Sequence, residues 1–358
     1  MEQEGLRGNV SQILGRDSQF RTSEILNYEQ RLQIEFFLGL VMQFLNVTAL
    51  VANSLNIAVF VKLGFKEPSN VSLLALSICD LTATVMSVWT YICSVPAFKA
   101  LELPFNPDTI TILTGLGPWG FVIRCGAWVT VYISFERCLC ILMPLKVKQW
   151  ITSRTTVIIV SIIAVLTLGP MITLFVRWET VWILSPQTNR TTLELVVVNK
   201  PGLALLETVM HYMVGLMSVF LAFIFIVVCT VFLVVHLKRS SEWRKAAISG
   251  TATEASDTSK VSSKKPMLTK EERLVKMVVS IAAVFIVCFT PTAVYHLCQA
   301  FVPGFSLFGR HRNLVSVLYM PTSILQSLSA SVNIFIYYSM GTRFRNAFRQ
   351  LLLLDNKH

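Results

Sequence analysis

The chain has 358 residues, of which 54% are hydrophobic and 14% charged, and its mean hydropathy is +0.62. A water-soluble domain carries roughly 25% charged residues, so too little polar surface exists here to coat such a core, and ordinary soluble domains are excluded. A net charge of +11 would suit a nucleic-acid binder, but Lys and Arg stand between apolar blocks, which points instead to loops at an anionic membrane surface.

Residues 1–34 read as an extracellular tail, polar over 1–30 and without the short apolar core of a cleavable signal peptide. The first apolar block is expected to serve as its own insertion signal. Seven stretches are then long and apolar enough to cross the hydrocarbon core as helices, near 36–61, 71–98, 109–135, 155–176, 203–235, 277–302 and 313–340. Helix is the economical choice because lipid cannot satisfy free backbone polar groups. The expected fold is an all-α membrane protein, a seven-transmembrane helix bundle over 35–341 with a short amphipathic C-terminal helix. Residues 240–270, rich in Ser, Thr and Lys and poor in aromatics, are expected to form a disordered third cytoplasmic loop. Residues 342–358 hold the amphipathic helix and a short tail, with Phe344, Phe348, Leu351 and Leu352 on one face.

The loops set the orientation. Lys62 and Lys66 follow the first block, Lys146, Lys148 and Arg154 the third, Lys238, Arg239, Arg244 and Lys245 the fifth, and Arg343, Arg345 and Arg349 the seventh. The positive-inside rule places these loops in the cytoplasm and the N-terminus outside, in a multi-pass protein of the plasma membrane. The sequons at Asn9 and Asn189 fall on the outer side and are expected to carry glycans. Those at Asn46 and Asn70 fall in the membrane and the cytoplasm and are expected to stay bare. The His and Cys residues form no metal-ligand spacing, and most of the eight cysteines lie within apolar blocks as small buried hydrophobes. No cofactor and no enzyme activity are expected.

Ionisable residues inside a membrane helix cost a few kcal/mol and tend to be paired and functional. Asp80 lies in the second block, and Asn53 and Asn333 could face it. That polar core either binds a cation such as sodium, or protonates, or is a hydrogen-bonded structural cluster. Arg124 lies 13 residues before Arg137, ~20 Å along a helix axis. It either receives an anionic ligand group or pairs with Glu207, close in sequence to His211 and Tyr212.

Phe135-Glu136-Arg137-Cys138 closes the third block and resembles the D/E-R-Y motif of rhodopsin-like G-protein-coupled receptors, with Pro144-Leu145 matching the short element that follows. Asn53 resembles the helix-one Asn and Asp80 the helix-two Asp. Cys288-Phe289-Thr290-Pro291 resembles C-W-x-P, Asn333-Ile334-Phe335-Ile336-Tyr337 resembles N-P-x-x-Y, and Phe344-Arg345-Asn346-Ala347-Phe348 resembles the start of helix eight. The order of these motifs covers about residues 35–353. The chain also looks like the large invertebrate, notably gastropod, chemosensory-type and neuropeptide-like receptor families.

There are departures. Residues 94–124 and 141–228 contain no Cys, so the family's outer disulfide cannot form. Trp119 stands where amine receptors carry Asp, and the seventh block has no Lys for a retinal Schiff base.

The resemblance implies binding of an extracellular odorant-like molecule or short peptide and activation of a heterotrimeric G protein through opening of helix six. Arg137 would be locked by Glu271, with Glu136 as its other partner and Tyr337 nearby; Phe289 and Pro291 would form the helix-six switch. Candidate ligand-lining residues are Trp89, Tyr91, Trp119, Ile123, Arg124, Tyr295, His296, Gln299, Tyr319, Ser323 and Gln326, each also suited to simple packing between helices. Arrestin and a receptor kinase would act on the Ser and Thr of the third loop. A non-signalling seven-helix decoy or scaffold and a transporter are the competing readings, the latter without a detectable repeat.

Overall fold

The computed structural model describes residues 26–185, 190–197, 217–252, 270–305 and 310–352, with isolated positions at 202, 206 and 209; the side chain of Glu271 and most of those beyond Arg239 in the fifth-block helix lie outside that description. Long helices run over Tyr28–Leu63 (α1), Pro68–Ser94 (α2), Gly117–Leu142 (α3), Ser153–Leu168 (α4), Ser218–Ala252 (α5), Lys270–Phe301 (α6) and Arg312–Met340 (α7), followed by Thr342–Leu351 (α8).

Proline and glycine set many of the boundaries. Gly64, at φ 76°, turns the chain out of α1, and Pro68 opens α2 after an extended Glu67. Asn70 donates to the Gly64 carbonyl at 3.1 Å and closes this short connection. Val95 is extended before Pro96, so α2 stops at Ser94, short of the 98 read from hydropathy. A short helix, Pro107–Thr111, capped by Asn106, and one π turn at Ile112–Leu116 lead into α3. Thr152 caps α4 by accepting from the Thr155 amide at 3.2 Å, and Gly169-Pro170 interrupt it before a last short helix at Ile172–Arg177.

Six stretches among the described residues are long and apolar enough to cross a membrane: Glu29–Leu63, Pro68–Ser94, Pro107–Leu142, Ser153–Val176, Ser218–Arg239 and Glu272–Phe301. The chain is a multi-pass helical membrane protein. Large apolar side chains face outward along these helices, Phe44 at 74% and Val165 at 69% exposure among them, as a hydrocarbon solvent permits. α7 is long but less apolar. Its Thr322, Ser323, Gln326, Ser327, Ser331 and Asn333 are buried inside the protein, where polar side chains can find partners.

Two features depart from the sequence reading. Between α4 and α5 the chain forms an antiparallel hairpin of β1 (Trp178–Ser185) and β2 (Arg190–Val197), with Trp178 opposite Val197 and Ser185 opposite Arg190. Thr180, Val181, Trp182, Ile183, Thr191 and Thr192 are strand formers, and the segment lies outside the membrane-length helices, so the helical class stands. α5 also continues to Ala252, into the segment expected to be disordered, through Glu242, Arg244, Lys245, Ala246 and Ala247, all good helix formers. Residues 253–269 lie outside the described residues.

The described residues divide into two compact units, one of Met1–Leu45 with Cys288–Leu328, the other of Asn46–Val287 with Ser329–His358. The core of the second gathers Val59, Phe60, Leu73, Leu76, Val129, Ile133, Leu233, Val278, Ile281, Tyr337 and Phe344. In the first, Arg31 pairs with Glu35 at 2.8 Å, and Ser316 donates to the same carboxylate at 2.5 Å.

Candidate functional site

The last turns of α3 carry the Glu136-Arg137 pair. Glu136 is buried, at 1% exposure, which for a carboxylate demands compensation. It receives it twice: Arg137 forms an ion pair with Oε1, and Ser72 Oγ donates to Oε2 at 3.4 Å. Arg137 also donates from Nη2 to Ser69 Oγ at 2.9 Å. The pair therefore ties the end of α3 to the start of α2. Of the two partners named for Arg137, Glu136 is the one brought to it, while the Glu271 side chain lies outside the described residues.

Ser69 also lines a cavity of about 380 Å³ bounded by Phe60 and Leu63 of α1, Asn70 and Leu73 of α2, Arg273, Leu274 and Met277 of α6, Tyr337 and Met340 of α7, and Phe344 of α8. Tyr337 is fully buried and meets the Phe60 ring edge-on at 5.3 Å and the Phe344 ring at 5.5 Å; Phe60 and Phe344 lie 5.3 Å apart. These three rings join α1, α7 and α8. Sequence reasoning named Tyr337 and placed Phe344 on the amphipathic face, but missed Phe60, one apolar residue among many in its block. A Cβ at Gly341 would meet the Tyr337 carbonyl at 2.7 Å, so the turn into α8 requires glycine. Phe344 and Ala347 are buried and Leu351 half-buried, whereas Leu352 follows the helix and is exposed. Glu67 and Arg343 form an ion pair across the mouth, which sequence reasoning also missed.

Deeper in the same unit, Asn333 Nδ2 donates to Asp80 Oδ2 at 2.8 Å. Asn53 instead donates to the Ala330 carbonyl of α7 at 3.1 Å and to Ala49 at 3.0 Å, and accepts from Asn56 at 3.3 Å. Asp80 and Asn333 thus touch directly, and Asn53 joins the cluster through the α7 backbone. No group of three His, Cys, Asp or Glu side chains gathers among the described residues. Asn46 is buried and donates to Ser87 at 3.1 Å.

The ligand candidates divide between the two units. In the first, Gln299 Nε2 donates to Tyr295 Oη at 3.2 Å, His296 Nδ1 lies 3.1 Å from Gln299 Oε1, and the Tyr295 and Tyr319 rings are 5.3 Å apart. Tyr295 donates to the Val315 carbonyl at 3.3 Å. These four side chains form one polar-aromatic cluster. Ser323 donates to the Tyr319 carbonyl of its own helix at 3.2 Å, and Gln326 ties α7 to α6 by donating to Thr292 at 3.0 Å. Phe289 is half-buried, and α6 runs through Pro291 without a break.

In the second unit, Trp89 donates to Thr114 at 2.9 Å and packs edge-on against Phe98. Tyr91, Trp119 and Ile123 are half-buried. The Arg124 guanidinium lies 4.3 Å from the Phe121 ring centre, a cation–π contact. The partner named for it, Glu207, lies outside the described residues, as do His211, Tyr212, Asn9 and Asn189.

The hairpin and the segment that enters α3 are joined without sulfur; all eight cysteines are free. The Leu193 amide donates to the Pro104 carbonyl at 2.9 Å, the Asn106 amide donates to the Leu193 carbonyl at 3.1 Å, and Phe105 bridges to Leu193 as an added parallel strand position. Asn106 Nδ2 lies 3.0 Å from both Glu194 carboxylate oxygens, and Thr109 donates to Oε2 at 3.3 Å. Asn106 thereby pins the hairpin to the segment that enters α3.

Residues 41–355 match a family model described as serpentine type 7TM GPCR chemoreceptor Srw. No curated protein matches the chain.

Proposed function

The chain belongs to the Srw family of serpentine 7TM chemoreceptors, rhodopsin-like receptors and not enzymes, and from that premise we propose that it detects an extracellular chemical signal and activates a heterotrimeric G protein. Seven spans, with Arg312–Met340 as the seventh, an extracellular N-terminus and a plasma-membrane location belong to this reading. The basic residues after the first, third, fifth and seventh blocks support the orientation. The signal is an odorant-like molecule or a short peptide, and the Tyr295, His296, Gln299 and Tyr319 cluster offers it aromatic faces and convergent polar groups.

The observation that carries the reading is the state of Arg137. Its guanidinium is withdrawn into a buried pair with Glu136 and a hydrogen bond to Ser69, beside a cavity walled by α6, α7 and α8. That is the arrangement expected of a closed inner end. Swinging the start of α6 outward would widen the cavity and release Arg137 for a G-protein helix. An agonist drives this only by its differential affinity for the open state, and a shift from 1:99 to 99:1 needs about 5.5 kcal/mol. Receptor kinase and arrestin would then act on the Ser and Thr of the connection between α5 and α6.

The test is basal nucleotide exchange on a panel of G proteins, without ligand and at matched surface expression. Glu136→Gln and Glu271→Ala should each raise basal exchange, and adding Arg137→Ala should remove it. If wild type and all variants sit at background on every G protein, the signalling reading fails. A decoy, consistent with Cys138, Phe289 and Ile334 at altered motif positions, or a transporter would replace it.

A further inference from the structure

A second cavity, of about 470 Å³, shares Arg273, Met340 and Thr342 with the first and is lined further by Lys276, Ser339 and Arg345. Its wall holds three cations and two hydroxyls and no acidic residue. Among the described residues none of the three cations is ion-paired; Arg273 donates only to Thr342 Oγ1, at 3.5 Å. All three are half-buried, so their charges are focused into one recess instead of being spread over a wet surface. Thr342 opens α8, whose N-cap is Gly341 and supplies no side-chain cap. The unsatisfied first-turn amides and the helix dipole add positive potential at the same place.

The apolar stripes leading away from this recess fit hydrocarbon. Phe335 stands one turn before Ser339 on the same face of α7 and is 64% exposed. On α6, Val287 lies on the stripe of Lys276, eleven residues on, and is 68% exposed. The geometry points to a binding site for an inner-leaflet anionic lipid whose head group carries phosphomonoesters. Phosphate oxygens would sit among Arg273, Lys276, Arg345 and the Ser339 and Thr342 hydroxyls, and an acyl chain would lie along Phe335 and Val287. Because the cations come from α6 on one side and α8 on the other, a bound head group bridges the two and holds the start of α6 inward. The placement in the inner leaflet rests on the orientation proposed above.

The experiment uses full-length receptor in nanodiscs of phosphatidylcholine doped with a phosphoinositide bearing ring phosphates. Lipid binding is read by native mass spectrometry and by quenching of a fluorescent head group. Both leaflets carry the lipid, so the result does not depend on which face is cytoplasmic. Saturation at one site is expected, with Lys276→Gln plus Arg345→Gln weakening it by roughly thirtyfold, as the loss of two head-group cations implies. The charge-retaining Lys276→Arg plus Arg345→Lys should keep most of the affinity, and Lys62→Gln plus Lys66→Gln should leave it unchanged. Equal competition by phosphatidylserine at matched charge would overturn the site, as would wild-type affinity in the double Gln variant. A soluble inositol phosphate that binds as tightly as the lipid would overturn the lipid source in favour of a free phosphate.

Discussion

The two ends of the second unit are held together by different physics. At one end, Tyr337, Phe344 and Glu136 are all nearly inaccessible, and the contacts among Phe60, Tyr337 and Phe344 are ring packing. At the other, the hairpin is held to the approach to α3 by backbone hydrogen bonds and the amide-carboxylate contact of Asn106 with Glu194, with Lys99 and Asp108 pairing nearby at 37% and 61% exposure. Buried packing is lost all at once, whereas exposed polar contacts exchange with water and contribute little singly. The ring-packed end is therefore expected to contribute more to stability per contact than the end that carries the hairpin.

The comparison can be broken most directly at the rings. Phe344→Ala should cost about 3–5 kcal/mol, the range for removing a large buried aromatic, read as a lower apparent melting temperature in a thiol-reactive unfolding assay in detergent. An unchanged midpoint would mean that the three rings are not what holds α8. Gly341→Ala should follow it closely, because the added Cβ collides with the Tyr337 carbonyl, a backbone atom that cannot step aside. Next comes Asn333→Ala, which strips the Asp80 carboxylate of its donor and should cost about 1–3 kcal/mol; Asp80→Asn in the same background should recover part of that loss. Smallest is Glu194→Ala, with about 1 kcal/mol or less. Its effect should show as faster amide exchange at Leu193 and Asn106 without a shift in global unfolding. If Glu194→Ala lowered the melting temperature as far as Phe344→Ala, the two ends would not differ as described.

Hydropathy made the membrane helices legible, because crossing lipid forces long apolar runs. Asp80 and Asn333 were legible too, as polar groups where lipid makes polarity costly. α7 shows the limit of that logic. The sequence reading counted 313–340 among the apolar stretches, but polar residues buried against the protein dilute it, and it is not one of the six helices apolar enough to cross a membrane among the described residues. The hairpin was overlooked because Trp178–Val197 looks like a loop when only helix-length runs are sought, although its alternating β-branched and aromatic residues were present throughout. Phe60 with Phe344, Glu67 with Arg343, and Asn106 with Glu194 join residues far apart in sequence. No local pattern announces such pairs. The extension of α5 past residue 235 went unread because Ser, Thr and Lys were weighed as composition, without regard to the helix-forming order of Glu242 to Ala247.

The strap between Asn106 and Glu194 also bears on how the protein is made. A receptor whose outer loops are joined by sulfur must wait for an oxidant, and can be trapped with the wrong thiols paired. Here the connection between β2 and residues 104–109 is made by hydrogen bonds alone, so forming it needs no oxidant.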